Sequence, residues 1–402
     1  MKIFSCLIKP GILAGAVVAQ CWAMVAVAGE DQQENHLITH QMGGVRIDGG
    51  LTWFLQATSG ATDDTSALTY SFDMGLQAPV GEHGSLVVAL EAGDGEGVDP
   101  VIGDLSGANY DAFYSELTST VAGSTNVVVP SVSQAYYEGE YIDGRLLVSV
   151  GKLDVHSLFD DNAYANDETD QFMSAIFSRS ADTSYSQLDY YYAPGIALQY
   201  AVNDKVDVAF IEANGNDSGF NDVFNNLYSV AQLNIKPGFG GHDGNYRFYY
   251  IDDHRDSTNT TFTDISSSRK ISNKAWGVSF DQALPGNVGV FARYSTQDDG
   301  IVENTVASSW SLGALFEGAA WGREVDTIGV GYGSVNLNTD PAALAAASIT
   351  NPDDETHVEL FYKCGLSDHF TLTADVQAIS NIGGVADADT VTVAGLRGQL
   401  NF

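Results

Sequence analysis

The chain has 402 residues, 52 of them acidic and 17 basic, for a formal net charge of −35 at pH 7. That balance repels phosphate backbones and excludes a nucleic-acid partner. Only three cysteines are present, two of them at positions 6 and 21, which leaves Cys364 alone in the body of the chain and excludes a disulfide framework or a cysteine metal site.

At the N-terminus, Lys2 and Lys9 precede a stretch from Ile12 to Val27 that is apolar apart from Gln20 and Cys21. It ends in the small-x-small step Ala26-Val27-Ala28. Residues 1–28 are therefore expected to be a secretory signal peptide, 29–43 a periplasmic segment and 44–402 the folded domain. The bulky Gln20 before Cys21 argues against a lipoprotein signal. Beyond residue 28 no window is apolar enough for a membrane helix, so any spanning must be done by strands, and those strands must close on themselves.

Period-two alternation then gives sixteen candidate strands. In the first, Val45, Ile47, Leu51 and Leu55 alternate with Arg46, Asp48, Thr52 and Gln56. In the second, Leu68, Tyr70, Phe72, Met74 and Leu76 alternate with Thr69, Ser71, Asp73 and Gln77. Others run near 84–92, 132–142, 144–153, 195–202, 205–213, 225–235, 245–252, 274–282, 287–296, 308–317, 325–335, 355–364, 369–380 and 390–402. The final pair alternates with almost no fault and closes on an aromatic, Phe402, as outer-membrane barrels do.

Connections after even-numbered candidates are short and carry turn chemistry: Asp143-Gly144, Asn203-Asp204, Leu284-Pro285-Gly286 and Gly365 to Asp368. Connections after odd-numbered candidates are long, the largest being 93–131, 154–194, 253–273 and 336–354, and they hold most of the acidic pairs. This sorting fits periplasmic turns below and extracellular loops above. The expected fold is all-β, a transmembrane antiparallel β-barrel of about sixteen strands. Trp53 and Tyr190 to Tyr192 are expected at extracellular strand ends and Trp321 in a periplasmic turn, where amphipathic rings meet the membrane interface.

Loops 93–131 and 154–194 are long enough to enter and narrow the barrel. Within the second, "NDETDQFMSAIF" predicts a short helix in the lumen, capped by Asn166, with Asp167 and Glu168 in its first turn and Phe172, Met173, Ile176 and Phe177 on one face. By the strand register Arg46, Asp48, Lys152, Arg247, Arg293 and Arg397 point inward. They either line the constriction, with Arg46, Arg247 or Arg293 as first candidates, or pair with loop carboxylates.

Catalytic signatures HExxH, GxSxG and GxxxxGK[ST] are absent, and no catalytic residue and no metal ligand is singled out. No cofactor is expected, although "GDGEGVD" (93–99) and "NGNDSGFND" (214–222) resemble loose oxygen-ligand loops for Ca²⁺.

The run Gln134 to Phe172, "QAYYEGEYIDGRLLVSVGKLDVHSLFDDNAYANDETDQF", closely resembles the carbohydrate-selective, OprB-like porins of bacterial outer membranes, and the ending "HVELFYKCGLSDHFTLTADVQAISNIGG…LRGQLNF" is similar to that family's final strands. Motif positions are Gly151, Lys152, Asp154, Phe159, Asp160, Asn162, Ala163, Tyr164, Ala165, Asn166, Asp167, Gln171 and Phe172. The resemblance implies a sixteen-stranded barrel passing monosaccharides or short oligosaccharides by passive diffusion, as a monomer or homotrimer in outer-membrane lipid. Asp154, Asp160, Asn162, Asn166 and Asp167 would then either touch sugar or fix the loop. Two alternatives remain open on the residues: a general acidic, cation-preferring porin, and a closed structural or adhesin barrel.

Overall fold

Alternation of apolar and polar side chains along every long segment leaves one arrangement that buries all backbone groups in lipid, a closed sheet. The computed structural model describes residues 44–112, 131–181, 192–215, 223, 226–254 and 262–402. The expected signal peptide and the whole segment 29–43 lie outside them, as do Tyr190, Tyr191 and most of the 214–222 loop.

Sixteen antiparallel strands follow one another around a closed barrel. The first eight are β1 (Arg46–Ser59), β2 (Ser66–Val80), β3 (Gly84–Asp94), β4 (Ser131–Tyr141), β5 (Leu146–Asp154), β6 (Tyr192–Asn203), β7 (Val206–Asn214) and β8 (Leu227–Ile235). The second eight are β9 (Gly244–Asp253), β10 (Asn273–Leu284), β11 (Val288–Gln297), β12 (Val306–Glu317), β13 (Thr327–Leu337), β14 (Glu355–Gly365), β15 (Phe370–Ser380) and β16 (Val391–Asn401). Closure pairs β1 with β16 from Gly50 opposite Asn401 to Ser59 opposite Thr392. Phe402 continues it by exchanging backbone bonds with Gly49, and its ring stacks on Phe72 at 5.8 Å.

The outer face is apolar: Leu68, Trp276, Leu312, Val330, Leu360 and Val376 are exposed where lipid would lie. On the inner face Thr52, Ser71, Ser279, Ser295, Thr373 and Gln399 are buried, because loops fill much of the lumen.

Short and long connections alternate as expected except at β12, where the short-side connection 318–326 outlasts the long-side connection 298–305 by one residue. The β4–β5 turn takes its path through left-handed Ile142, Asp143 and Gly144. Trp321 closes a 3₁₀ turn, Gly318–Trp321, on the short-turn side and is exposed. Trp53, expected at an extracellular strand end, instead lies midway along β1, opposite Gly398. A Cβ at 398 would come within 2.4 Å of the indole, so the glycine opens the slot that holds the ring.

The predicted lumen helix is reduced to four residues, Ala175–Ser178. Its Asn166 cap does not form. Asp167 instead takes the N–H groups of Thr169 and Asp170, while Gln171 reaches back to the N–H groups of Asn166 and Asp167. Side chains that satisfy local backbone groups in turns compete with helix, and over "NDETDQ" they win. The apolar face is as expected: Phe172, Met173, Ile176 and Phe177 are all buried.

Candidate pore constriction

Two segments fold into the barrel, 155–181 and 95–112. The first packs Phe159 against Tyr249 on β9, ring centroids 5.5 Å apart, and Phe172 among Phe177, Phe291 and Phe361 at 4.9, 5.4 and 5.0 Å. Tyr164 lies over Gly289, where a Cβ would come within 2.2 Å of the ring. Aromatic mass thus fixes the loop against β9 to β14.

Polar anchors complete the attachment. Arg293 on β11 donates from Nε to Asp160 Oδ1 at 3.2 Å and from Nη1 to the Phe177 carbonyl at 2.6 Å, and both Arg293 and Asp160 are buried. Arg247 on β9 bridges Asp281 at 2.5 Å and Asp161 at 3.3 Å. Arg397 on β16 donates to the carbonyls of Glu168 at 2.5 Å and Gln171 at 2.9 Å. Asn162 gives its amide to Ser279 Oγ and the Phe280 carbonyl. Glu359 accepts the N–H groups of Met173 and Ser174, and Lys363 pairs with Asp170 at 2.5 Å. That ammonium outweighs burial and holds the Asp170 carboxyl below its usual range.

The second segment is tied to the first. Tyr110 N–H donates to the Met173 carbonyl and Ala175 N–H to that of Gly107. Gln56 and Gln377 both donate to the carbonyl of Ala108.

Across from the anchored loop, carboxylates outnumber cations. Asp73 on β2 stands directly opposite Glu91 on β3, a like-charge pair that weakens a sheet. Asp111 accepts the Ser71 hydroxyl at 2.7 Å, and Glu168 and Asp154 add their fields to the same space. Burial, then the charge of Asp167, pushes the Glu168 carboxyl up to about 7, and burial with Glu168 and Asp73 nearby raises Asp111 well above the ordinary range. The cations of this group are Lys152, beside Glu91, and Arg179. Arg179 Nη1 donates to Asn166 Oδ1 and the Ser178 carbonyl, with Asp154, Asp160 and Asp161 around it.

A closed sixteen-strand barrel narrowed by two inward loops is a channel architecture, and the sequence profile described as "Carbohydrate-selective porin, OprB family" matches residues 105–402. The chain belongs to that family. It is 23% identical over 311 residues to Porin B of Pseudomonas aeruginosa, covering 67% of this chain and 68% of that protein. It is also 23% identical to Porin AaxA of Chlamydia abortus, over 67% of this chain and 57% of the relative. The high-pH structure of Pseudomonas putida OprB superposes with a TM-score of 0.73 at 19% identity, over 89% of this chain and 94% of the other. As an OprB-family porin it is an outer-membrane channel for sugars.

The residues singled out from sequence separate into four places in this porin. Arg247, Arg293, Arg397, Asp160, Asn162 and Asp167 come together in the contact between loop and wall. Asn166 joins them through Arg293 and Arg179, and Asp154 stands at the edge of the acidic gap. Arg46 pairs with Asp48 at 3.5 Å near the first residue of β1. That is the short-turn mouth, far from the loops, so Arg46 does not line the constriction. Lys152 lies where β4 and β5 part above the Ala135–Lys152 pair. Its Nζ donates to the Val132 carbonyl at 2.8 Å, beside the Tyr192 ring.

Sequence reasoning missed Asp73, Glu91, Asp111, Glu168 and Arg179 as site residues. For Asp73 and Glu91 the inward parity was readable, but their pairing depends on register, which alternation alone does not give. In the 93–99 stretch the carboxylates do not converge: Asp94 accepts from Gly95, Asp99 from Ala108 and Asn109, and Glu96 is exposed.

Proposed function

We propose that neutral monosaccharides or short oligosaccharides cross between the anchored loop and the β2–β3 wall, exchanging hydration water for Asp73, Glu91, Asp111, Asp154 and Glu168 as acceptors and Arg179 as donor. What carries this reading is the fate of the inner-wall cations. Arg247, Arg293 and Arg397 are held by the 155–181 loop, so carboxylates and one guanidinium are left to meet the permeant. Carboxyl oxygens accept from sugar hydroxyl groups, and a guanidinium donates in a planar fork.

In this role Arg247, Arg293, Arg397, Asp160, Asn162, Asn166 and Asp167 position the loop rather than touch sugar. The sugar leaves as it entered, with no catalytic group and no cofactor involved. Each chain closes its own barrel, so one chain suffices for a pore, alone or in a homotrimer.

Liposome swelling with glucose, maltose and a longer oligosaccharide tests the proposal. Saturable entry that weakens in Asp111→Asn is the expected result. Entry set by solute size alone, with strong cation preference, would favour the general acidic porin that the excess carboxylates also suit.

A further inference from the structure

Where the 95–112 segment crosses β14, three side chains outside the sugar path converge. Glu355 and His357 are two residues apart on β14, so they share a face, and both are buried. Asp104 approaches them from the loop. One ligand atom from each of the three lies within 4.8 Å of the others. We infer that Asp104, Glu355 and His357 form a binding site for one divalent transition cation, with Zn²⁺ the ion whose ligand preferences they fit.

The hydrogen bonds around the cluster support this. Asp104 Oδ2 is buried with no hydrogen-bond partner among the described residues, a costly state for a carboxylate oxygen unless something occupies the space it faces. Ser174 Oγ donates to the Gly107 carbonyl at 3.2 Å, which leaves its lone pairs for His357 Nδ1–H at 3.4 Å. With Nδ1–H so used, the 2.8 Å approach of His357 Nε2 to Glu355 Oε1 needs positive charge between them, a proton or a metal ion. Charge balance points the same way. Asp99, Asp104 and Glu355 feel one another's fields with a single imidazole as counterweight.

An imidazole nitrogen with two carboxylate oxygens is a first-row transition-metal set; calcium takes six or more oxygens. Zinc binds such ligands at about 2.0–2.2 Å, so Nε2 and Oε1 part by about half an ångström while the Asp104 oxygen, within 4.8 Å of both, closes onto the ion. Ser106 Oγ, 3.1 Å from Nε2, stands where a fourth ligand or its water would sit. Glu355 is oriented from behind by the N–H groups of Leu105 and Gly383, the second-layer support that metal carboxylates have. The ion would staple β14, both inward segments and the Ile382–Gly384 turn at one point.

The test is isothermal titration of Zn²⁺ into the full chain, refolded in detergent and stripped with chelator. The inference expects one ion per chain and no displacement by excess Ca²⁺. It also expects an affinity loss of at least about tenfold in Asp104→Asn, with none in the control Glu96→Gln. Absence of stoichiometric uptake, or equal uptake by Asp104→Asn, would overturn it and leave a proton shared between His357 and Glu355. Co²⁺ added to the unmutated chain and to Asp104→Asn gives a second readout. Visible bands of an imidazole–carboxylate complex that vanish in Asp104→Asn support the site, and an aqueous Co²⁺ spectrum refutes it.

Discussion

The two sides of the constriction use charge in opposite ways. On the anchored side, from β9 to β16, Arg247, Arg293 and Lys363 each have carboxylate partners, and Arg397 is met by loop carbonyls. On the β2–β3 side, Asp73 faces Glu91 with Asp111 and Glu168 close by, against Arg179 and, beside Glu91, Lys152. A chain with 17 basic residues places Arg247, Arg293 and Arg397 where they fix shape, and leaves most acceptor groups on the proposed sugar path. Acidity here is therefore not only a property of solvated loops.

The largest way to break this contrast is Arg293→Ala. It strands Asp160 buried and unpaired, for a loss of about 3–5 kcal/mol in denaturant unfolding. The loop should loosen with it, giving larger and noisier single-channel conductance. Phe172→Ala removes the ring at the centre of the Phe177–Phe291–Phe361 cluster and should cost about 3–5 kcal/mol by the same measurement, with less effect on charge selectivity.

Glu168→Gln sharpens the contrast. With its carboxyl pushed up from an ordinary 4.5 to about 7, Glu168 holds a proton in the folded chain that it would lose on unfolding between those two values. Its raised pKa therefore makes stability fall as pH rises through that window, and its ionisation should raise cation preference as pH passes about 7. Reversal potentials measured from pH 5.5 to 8 should show that rise, and Glu168→Gln should flatten it. Asp73→Asn relieves a like-charge pair and should gain roughly 0.2–1 kcal/mol while lowering cation preference. Smallest of all, Arg46→Ala at the far mouth should change stability by about 0–1 kcal/mol and leave sugar flux as it was.

Much of the barrel was legible because strand period and loop sorting are local properties. All sixteen strands, their even count and the short–long alternation follow from side-chain parity and turn residues. The "GKLD…FDDNAYAND" motif was legible as a unit, and its side chains prove to be the fastenings of the inward loop: Asp160 to Arg293, Asn162 to β10, Gln171 back onto Asn166 and Asp167. What stayed hidden depends on long-range register. Nothing local says that Asp73 will meet Glu91, that Gly398 will receive Trp53, or that Asp104 will reach a strand some 250 residues on. Helix patterning misled over 166–177 because turn-forming side chains outcompeted it.

Sugar-induced block of ion current in planar bilayers tests the central claim most directly. A maltose-type oligosaccharide should block the unmutated channel saturably. The half-blocking concentration should rise several-fold in Asp111→Asn and in Glu168→Gln, and stay unchanged in Arg46→Ala. If both carboxylate variants block like the unmutated channel, the sugar does not pass along the acidic side, and the division of labour between the two walls is wrong.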